Sequence, residues 1–173
     1  MGSTWTSSKT RGMQPMEQQK YWLFKSDPEV FSWEDLANSP KQTTYWDGVR
    51  NYQARNLLRD EVQTGDLVLF YHSQVKPPAV MGTARVVTSG YPDFTAQDPD
   101  SGHFDPKATR DKPIWYMVDI QLEQAFRRAV PLNELRRTSG LENMELLRKG
   151  SRLSVQPVRP EEFEIITRLG MRA

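Results

Sequence analysis

The sequence predicts one α+β domain, a small mixed sheet curled into a barrel with helices packed outside it. Three observations carry that expectation. The chain has 173 residues, the size of a single domain with one core. Its apolar segments include more short strand candidates than one hairpin can protect, and the helical segments fall between them without the regular alternation that builds a parallel sheet. Hydrophobic residues make up 37% and charged residues 26%, with 10 Gly and 12 Pro, which is too apolar for wholesale disorder and ordinary for a loop-containing globular protein.

The segment Met1 to Lys20 holds Ser, Thr, Gln and only isolated apolar residues, so it cannot be the apolar core of a secretory signal and is expected to be a disordered tail. A translation start at Met13 or Met16 is the alternative. The domain is expected over residues 21–170, beginning with a strand at Tyr21-Trp-Leu-Phe-Lys25 that Ser26-Asp27-Pro28 turns. Ser32, with Asp35 three residues on, reads as a capping box that opens a short helix over Phe31 to Leu36, ended by Asn38 to Lys41. Near-helical spacing of Tyr52, Leu58 and Val62 predicts a helix from Val49 to Asp60. After the turn Thr64-Gly65-Asp66, the apolar run Leu67 to Tyr71 is short enough for a buried strand. Ala79 to Thr88 reads as another, with Gly82 marking a bulge or a close backbone approach.

Ser89 to Pro113 is rich in Pro, Asp and Gly, and a loop of that length in a compact domain is expected to be functional or mobile and to border the site. Ile114 to Phe126 is the longest strand candidate. Pro131 to Arg137 reads as a helix with Gly140 past its end, Leu141 to Lys149 as a second stopped by Gly150. Leu153 to Gln156 completes the strands, and Pro160 to Leu169 is the last helix, closed by Gly170.

Composition removes several function classes. Lys plus Arg number 23 against 22 Asp plus Glu, a formal charge of +1, so the chain lacks the large basic excess of non-specific DNA-packaging proteins, although a local basic face is compatible with it. With no Cys there is no disulfide, thiolate-bound zinc, iron–sulfur cluster or thiol nucleophile. Only His72 and His103 supply imidazole, without metal-pair spacing, and no metal or organic cofactor is expected. No apolar run reaches about 18 residues, so no membrane span is expected. These absences point to an intracellular protein, cytoplasmic, or nuclear if the source is eukaryotic, and the sequence carries no signal for oligomerisation.

The densest polar and aromatic cluster comes from three segments: Lys25-Ser26-Asp27, Tyr45-Trp46-Asp47-Gly48-Val49-Arg50-Asn51, and Phe70-Tyr71-His72-Ser73. Each lies at a strand end or helix start, and in a barrel such ends converge at one rim. Aromatic walls with a few fixed polar groups suit a planar ligand. Trp46 can stack on a base, while Asp47, Asn51, Ser26 and Lys25 read its edge. Trp22, Trp33 and Trp115 read as core residues. Trp46 differs because the turn signal Asp47-Gly48 follows it. Two readings stay open beside this one: Asp47 as a cap of the helix at Val49, and His72 as a structural histidine. Arg50, Arg55 and Arg59, with Lys25, Lys41 and Lys76, form either a phosphate-contacting face or a solvated surface. Without a nucleophile elbow, P-loop or dinucleotide fingerprint, the site reads as binding rather than catalytic. The rivals are a small-molecule or nucleotide sensor and an enzyme using His72 with Asp47 or Asp105.

From about Tyr21 to Leu169 the chain resembles the EVE domain family. The resemblance rests on WLFKSDP (Trp22 to Pro28), PKQTTYWDGVRNYQARN (Pro40 to Asn56), FYHS (Phe70 to Ser73), YPD (Tyr91 to Asp93), FDP (Phe104 to Pro106) and LSVQP (Leu153 to Pro157). It implies a PUA-like barrel similar to YTH domains, which read methylated adenine in RNA through an aromatic cage. It also implies a partner, nucleic acid carrying modified bases, and no catalysis. On that pattern Lys25 and Ser26 are the pocket strand and Trp46 the cage wall. Asp47, Gly48, Arg50 and Asn51 line or shape the pocket, Tyr71, His72 and Ser73 form the facing wall, and Ser154 and Gln156 are a weaker carry-over. A second cage aromatic is sought among Tyr91, Phe104 and Trp115.

Overall fold

In the computed structural model, which describes residues 19–173, the chain forms a six-stranded mixed sheet with helices on both faces. Residues 1–18 of the expected tail lie outside the described residues. Gln19 and Lys20, expected to belong to that tail, are instead tied down. Gln19 Nε2 donates to the Gly65 carbonyl at 2.7 Å, and the Lys20 amide donates to Asp66 Oδ1 at 3.1 Å. The Trp22 indole donates to the other oxygen of the same buried carboxylate at 2.8 Å, so Asp66 holds the chain's entry into the sheet.

The strands are β1 (Tyr21–Ser26), β2 (Thr43–Tyr45), β3 (Leu67–His72), β4 (Ala79–Pro92), β5 (Tyr116–Pro131) and β6 (Val155–Val158), in the order β2-β5-β4-β3-β1-β6. The helices are α1 (Trp33–Ala37), α2 (Tyr52–Asp60), α3 (Leu132–Arg137) and α4 (Pro160–Gly170). β1 pairs parallel with β3 and antiparallel with β6, and the parallel pair needs the long crossover that carries α1, β2 and α2. Both faces of β1 and β3 are covered, which is why they read as unbroken apolar runs rather than alternating ones.

Strand alternation divides the interior into two cores. Trp22, Phe24, Val68 and Phe70 face one side, where Leu36 of α1 and Leu58 of α2 close over them. Leu23, Leu69 and Tyr71 face the other, under Leu135 of α3 and Ile166 of α4. Trp46, one residue past the edge strand β2, packs on Phe24 of β1, next to the opposite edge strand, with ring centroids 5.3 Å apart. The sheet therefore curls around its first core as a barrel does. Gly82 meets both halves of its expectation: the β4 register shifts between Val80 and Gly82, and a Cβ there would stand 2.6 Å from the Trp33 ring.

Several boundaries differ from expectation. α2 starts at Tyr52 rather than Val49, because the Asn51 side chain accepts the Ala54 amide at 2.9 Å and takes the N-cap, while Val49 is buried in the core. β2 is too short to register as a pattern. The expected loop over Ser89 to Pro113 is shortened by β4, which runs to Pro92, and the remainder is internally braced. A 3₁₀ turn forms at Phe94–Gln97, Ala96, Ala108 and Trp115 make a small core, and the Trp115 indole donates to Asp105 at 2.7 Å. Leu141 to Lys149 is a chain of turns with 3₁₀ geometry at Glu145–Leu147 instead of a helix. Leu141, Met144 and Leu146 are buried there, and the second core selects turns that point all three inward.

Candidate functional site

One cavity of about 640 Å³ opens where the end of β1, the β2–α2 connection and the loop after β4 meet. Of the residues singled out from the sequence, Lys25, Ser26, Trp46, Asp47, Gly48, Arg50, Asn51 and Ser154 line it. Its floor is aromatic. Trp46 is 7% exposed and sits within 5.4 Å of Phe70 and 6.3 Å of Phe31 by ring centroids, so it belongs to the core and presents only its remaining edge to the cavity. Trp46 is thus a core residue that also borders the cavity. Tyr45, named in the cluster read from sequence though given no role there, also lines the cavity, as does Phe31, which lay outside that cluster. The aromatics sought as a second cage wall lie elsewhere: Tyr91 donates its hydroxyl to Asp119, Trp115 packs in the loop's own core, and Phe104 is exposed beside the site.

The wall is held by a carboxylate that nothing in the sequence singles out beyond its place in the YPD string. Asp93 is fully buried. Its Oδ2 accepts the Gly48 amide at 2.9 Å and the Arg50 guanidinium at 3.1 Å, and its Oδ1 accepts the Thr95 amide and hydroxyl at 2.8 and 2.5 Å. Burial pushes the Asp93 carboxyl up, but the hydrogen bonds from Thr95, Gly48 and Arg50, with the charge of Arg50, outweigh it and hold the group below its ordinary value. The available signal was local: Asp two residues before Thr, after a strand, is a turn cap. Arg50 also donates to the His103 carbonyl at 2.6 Å, and so fastens the loop after β4 to the β2–α2 connection.

His103 is the second missed residue. Its ring lines the cavity, with Nδ1 3.2 Å from Asp47 Oδ2. Gly48 makes room for it: φ is +81°, and a Cβ would stand 2.6 Å from His103 Nε2. Asp47 is therefore free of the helix cap considered for it, and pairs across the cavity wall instead. Ser26 Oγ donates to the Phe31 carbonyl at 2.5 Å, which folds the turn after β1 over the cavity. Burial lowers the Lys25 ammonium below its ordinary value, opposed by the charge of Glu145, and the Lys25 amide donates to the Ser154 carbonyl at 2.9 Å.

The expected facing wall is not part of the cavity. Phe70 points into the first core, so Tyr71 must point into the second, where burial raises its phenol above the ordinary value. His72 accepts the Trp33 amide through Nε2 at 3.0 Å, the structural role left open for it, and so anchors the start of α1. The Ser73 amide donates to the Ser26 carbonyl at 2.9 Å. Gln156 is fully buried, with Nε2 donating to the Leu153 carbonyl at 2.8 Å. Among the described residues no group of three or more His, Cys, Asp or Glu could hold a metal ion, and no described helix is long and apolar enough to cross a membrane.

A mixed sheet curled over an aromatic core, with helices outside and a polar-walled cavity at its strand ends, defines a PUA-like α+β barrel. A family model described as EVE domain matches residues 20–169, and the chain belongs to the EVE domain family. Thymocyte nuclear protein 1 of Homo sapiens is 43% identical over 166 residues, covering 86% of this chain and 73% of the relative. Among solved structures, a hypothetical protein from Leishmania major superposes with a TM-score of 0.83 at 47% identity, over 89% of this chain and 96% of that one. Human THYN1 protein, solved in complex with DNA containing 5-methylcytosine, superposes with a TM-score of 0.82 at 42% identity, over 90% of this chain and 99% of that one.

Proposed function

We propose that this chain is a non-enzymatic reader of a modified base in DNA, with methylated cytosine the first candidate. The observation that carries the reading is the pairing, in one cavity of about 640 Å³, of an aromatic floor with the Asp47 carboxylate and the Lys25 ammonium on its wall. The human relative solved with 5-methylcytosine-containing DNA supports it. The base leaves its stack and enters over Trp46 and Phe31. Asp47 accepts from the exocyclic amine, as carboxylates do from cytosine N4, with His103 holding the carboxylate in place. A methyl group on the base fills space that water otherwise occupies. Much of the remaining polar wall is engaged internally, since Ser26 Oγ and the Arg50 guanidinium are already hydrogen-bonded. Such a wall supports binding more readily than proton transfer.

The test is binding to matched DNA and RNA oligonucleotides, plain or carrying methylated or hydroxymethylated cytosine or methylated adenine, with Asp47→Ala and Trp46→Phe beside the parent. Trp46→Ala is the wrong probe, because emptying that core position costs about 3–5 kcal/mol of stability. One modified oligonucleotide is expected to bind tighter than its plain partner, and Asp47→Ala to lower that affinity by about tenfold or more, the loss of a hydrogen bond to a charged group. Equal binding of all oligonucleotides, with a free nucleotide or metabolite binding tightly instead, overturns the reader and leaves the sensor.

A further inference from the structure

Tyr52 opens α2 immediately after the cavity-lining Asn51, and it is 60% exposed. Its ring stacks on the buried Trp115 with centroids 4.9 Å apart and planes 27° from parallel. Trp115 is itself fixed by its indole hydrogen bond to Asp105, and the Arg50 guanidinium lies 5.2 Å from its ring centroid. Arg50 also lines the cavity, so cavity and stack share a wall.

Arg55 lies 5.0 Å from the Tyr52 ring centroid, and it donates to the Ile114 carbonyl and to Asn56 rather than to a carboxylate. The segment 107–112 of the adjoining loop exposes Lys107, Arg110 and Lys112 against Asp111, with Asp105 preceding it. None of these four cations forms an ion pair among the described residues. An exposed aromatic backed by a rigid second ring, beside guanidinium and ammonium groups outside any ion pair, is the chemistry that holds single-stranded nucleic acid: a π face for a base and positive charge for its phosphates.

We propose that the Tyr52–Trp115 stack is a second platform, which takes a nucleobase neighbouring the one in the cavity, while Arg55 and the 107–112 loop neutralise the phosphates of that strand. The proposal rests on the reading of the cavity as a base pocket and adds its context: the ligand is a stretch of strand, not an isolated base. The contribution of the platform is independent of the modification. It sets affinity, and the cavity sets discrimination.

The experiment compares the parent with Tyr52→Leu, Tyr52→Phe and the double variant Arg110→Gln/Lys112→Gln. The probes are a single-stranded DNA of about 12 nucleotides with one central 5-methylcytosine, its plain counterpart, and 5-methyldeoxycytidine monophosphate. Tyr52→Leu, which keeps apolar cover on Trp115, is expected to weaken both oligonucleotides equally, by about fivefold or more, and to leave the mononucleotide unchanged. Tyr52→Phe keeps parental binding. The double variant makes the slope of log affinity against log salt shallower by about 1.4. Parental oligonucleotide binding by Tyr52→Leu overturns the platform and spares the pocket if methyl discrimination persists. Equal loss for oligonucleotide and mononucleotide also overturns it, because Tyr52 then only supports the cavity. If plain and methylated strands bind alike and both weaken in Tyr52→Leu, the platform stands and the base reading fails.

Discussion

Gly48 and Asp93 shape the cavity wall without offering it a side chain of their own. The Gly48 amide is bound by the buried carboxylate, its φ of +81° turns the chain, and its missing Cβ leaves the volume that the His103 ring fills. Gly48→Ala meets two penalties at once, a left-handed backbone worth about 1 kcal/mol and a contact with His103 that must be relieved by moving the loop. Chemical denaturation should show a loss of about 2 kcal/mol. Adding His103→Ala should recover the steric part and leave the backbone part, and a strictly additive pair of losses would refute this origin of the strain. Neither residue announces itself in sequence beyond a turn signal, because their importance lies in what approaches them from 45 residues away in the chain.

α1 is short, and two devices define its start, one local and one tertiary. Ser32 and Asp35 form the capping box read from the sequence, with hydrogen bonds of 3.0 and 2.9 Å, and His72 of β3 accepts the Trp33 amide. That bond requires an unprotonated Nε2. Burial pushes the His72 imidazole below its ordinary value of 6.5, opposed by the charge of Glu34. Because the folded value lies below the unfolded one, the unfolded chain binds more protons between them. The contribution of this bond to stability is complete above about pH 6.5 and is lost as pH falls through the lower folded value. Denaturation of the parent and His72→Ala across about pH 7 to pH 5 should show the parent losing its advantage toward the acid end. A difference between the two that does not change with pH would contradict the assignment. At this scale the capping box of α1 was legible, because its two residues lie three apart, whereas the Asn51 cap of α2 was not. The orientation of Tyr71 was open to the same kind of reasoning, since β alternation with Phe70 in the first core places it on the opposite face, in the second.

Across the whole molecule the sheet separates two cores, and only one of them touches the cavity. Leu23 and Phe24 are adjacent on β1 and both fully buried, yet Leu23 packs under the α3 and α4 side while Phe24 supports Trp46. Leu23→Ala should cost about 2–5 kcal/mol of stability and leave ligand affinity intact once the protein is folded. Phe24→Leu should cost less, about 1–2 kcal/mol, and still weaken ligand binding, because Trp46 loses the ring it rests on. Unfolding curves paired with oligonucleotide titrations check both. Equal effects on binding would mean that the two cores are not separate mechanically.

Local chemistry in the chain specified the strands β1 and β3, the capping box of α1, the glycine at the β4 bulge and two of the three segments expected around the cavity, those at Lys25 and Trp46. Those features depend on residues within one turn or one strand of each other, and side-chain period and cap chemistry act at that range. Tertiary contact alone determined that Leu141 to Lys149 would turn rather than coil, that His72 would serve α1 instead of the cavity, and that Asp93 and His103 would build the wall. A buried carboxylate's hydrogen bonds and a ring packed against a glycine depend on which distant segments are brought together. That is a property of the folded sheet and not of the sequence around either residue.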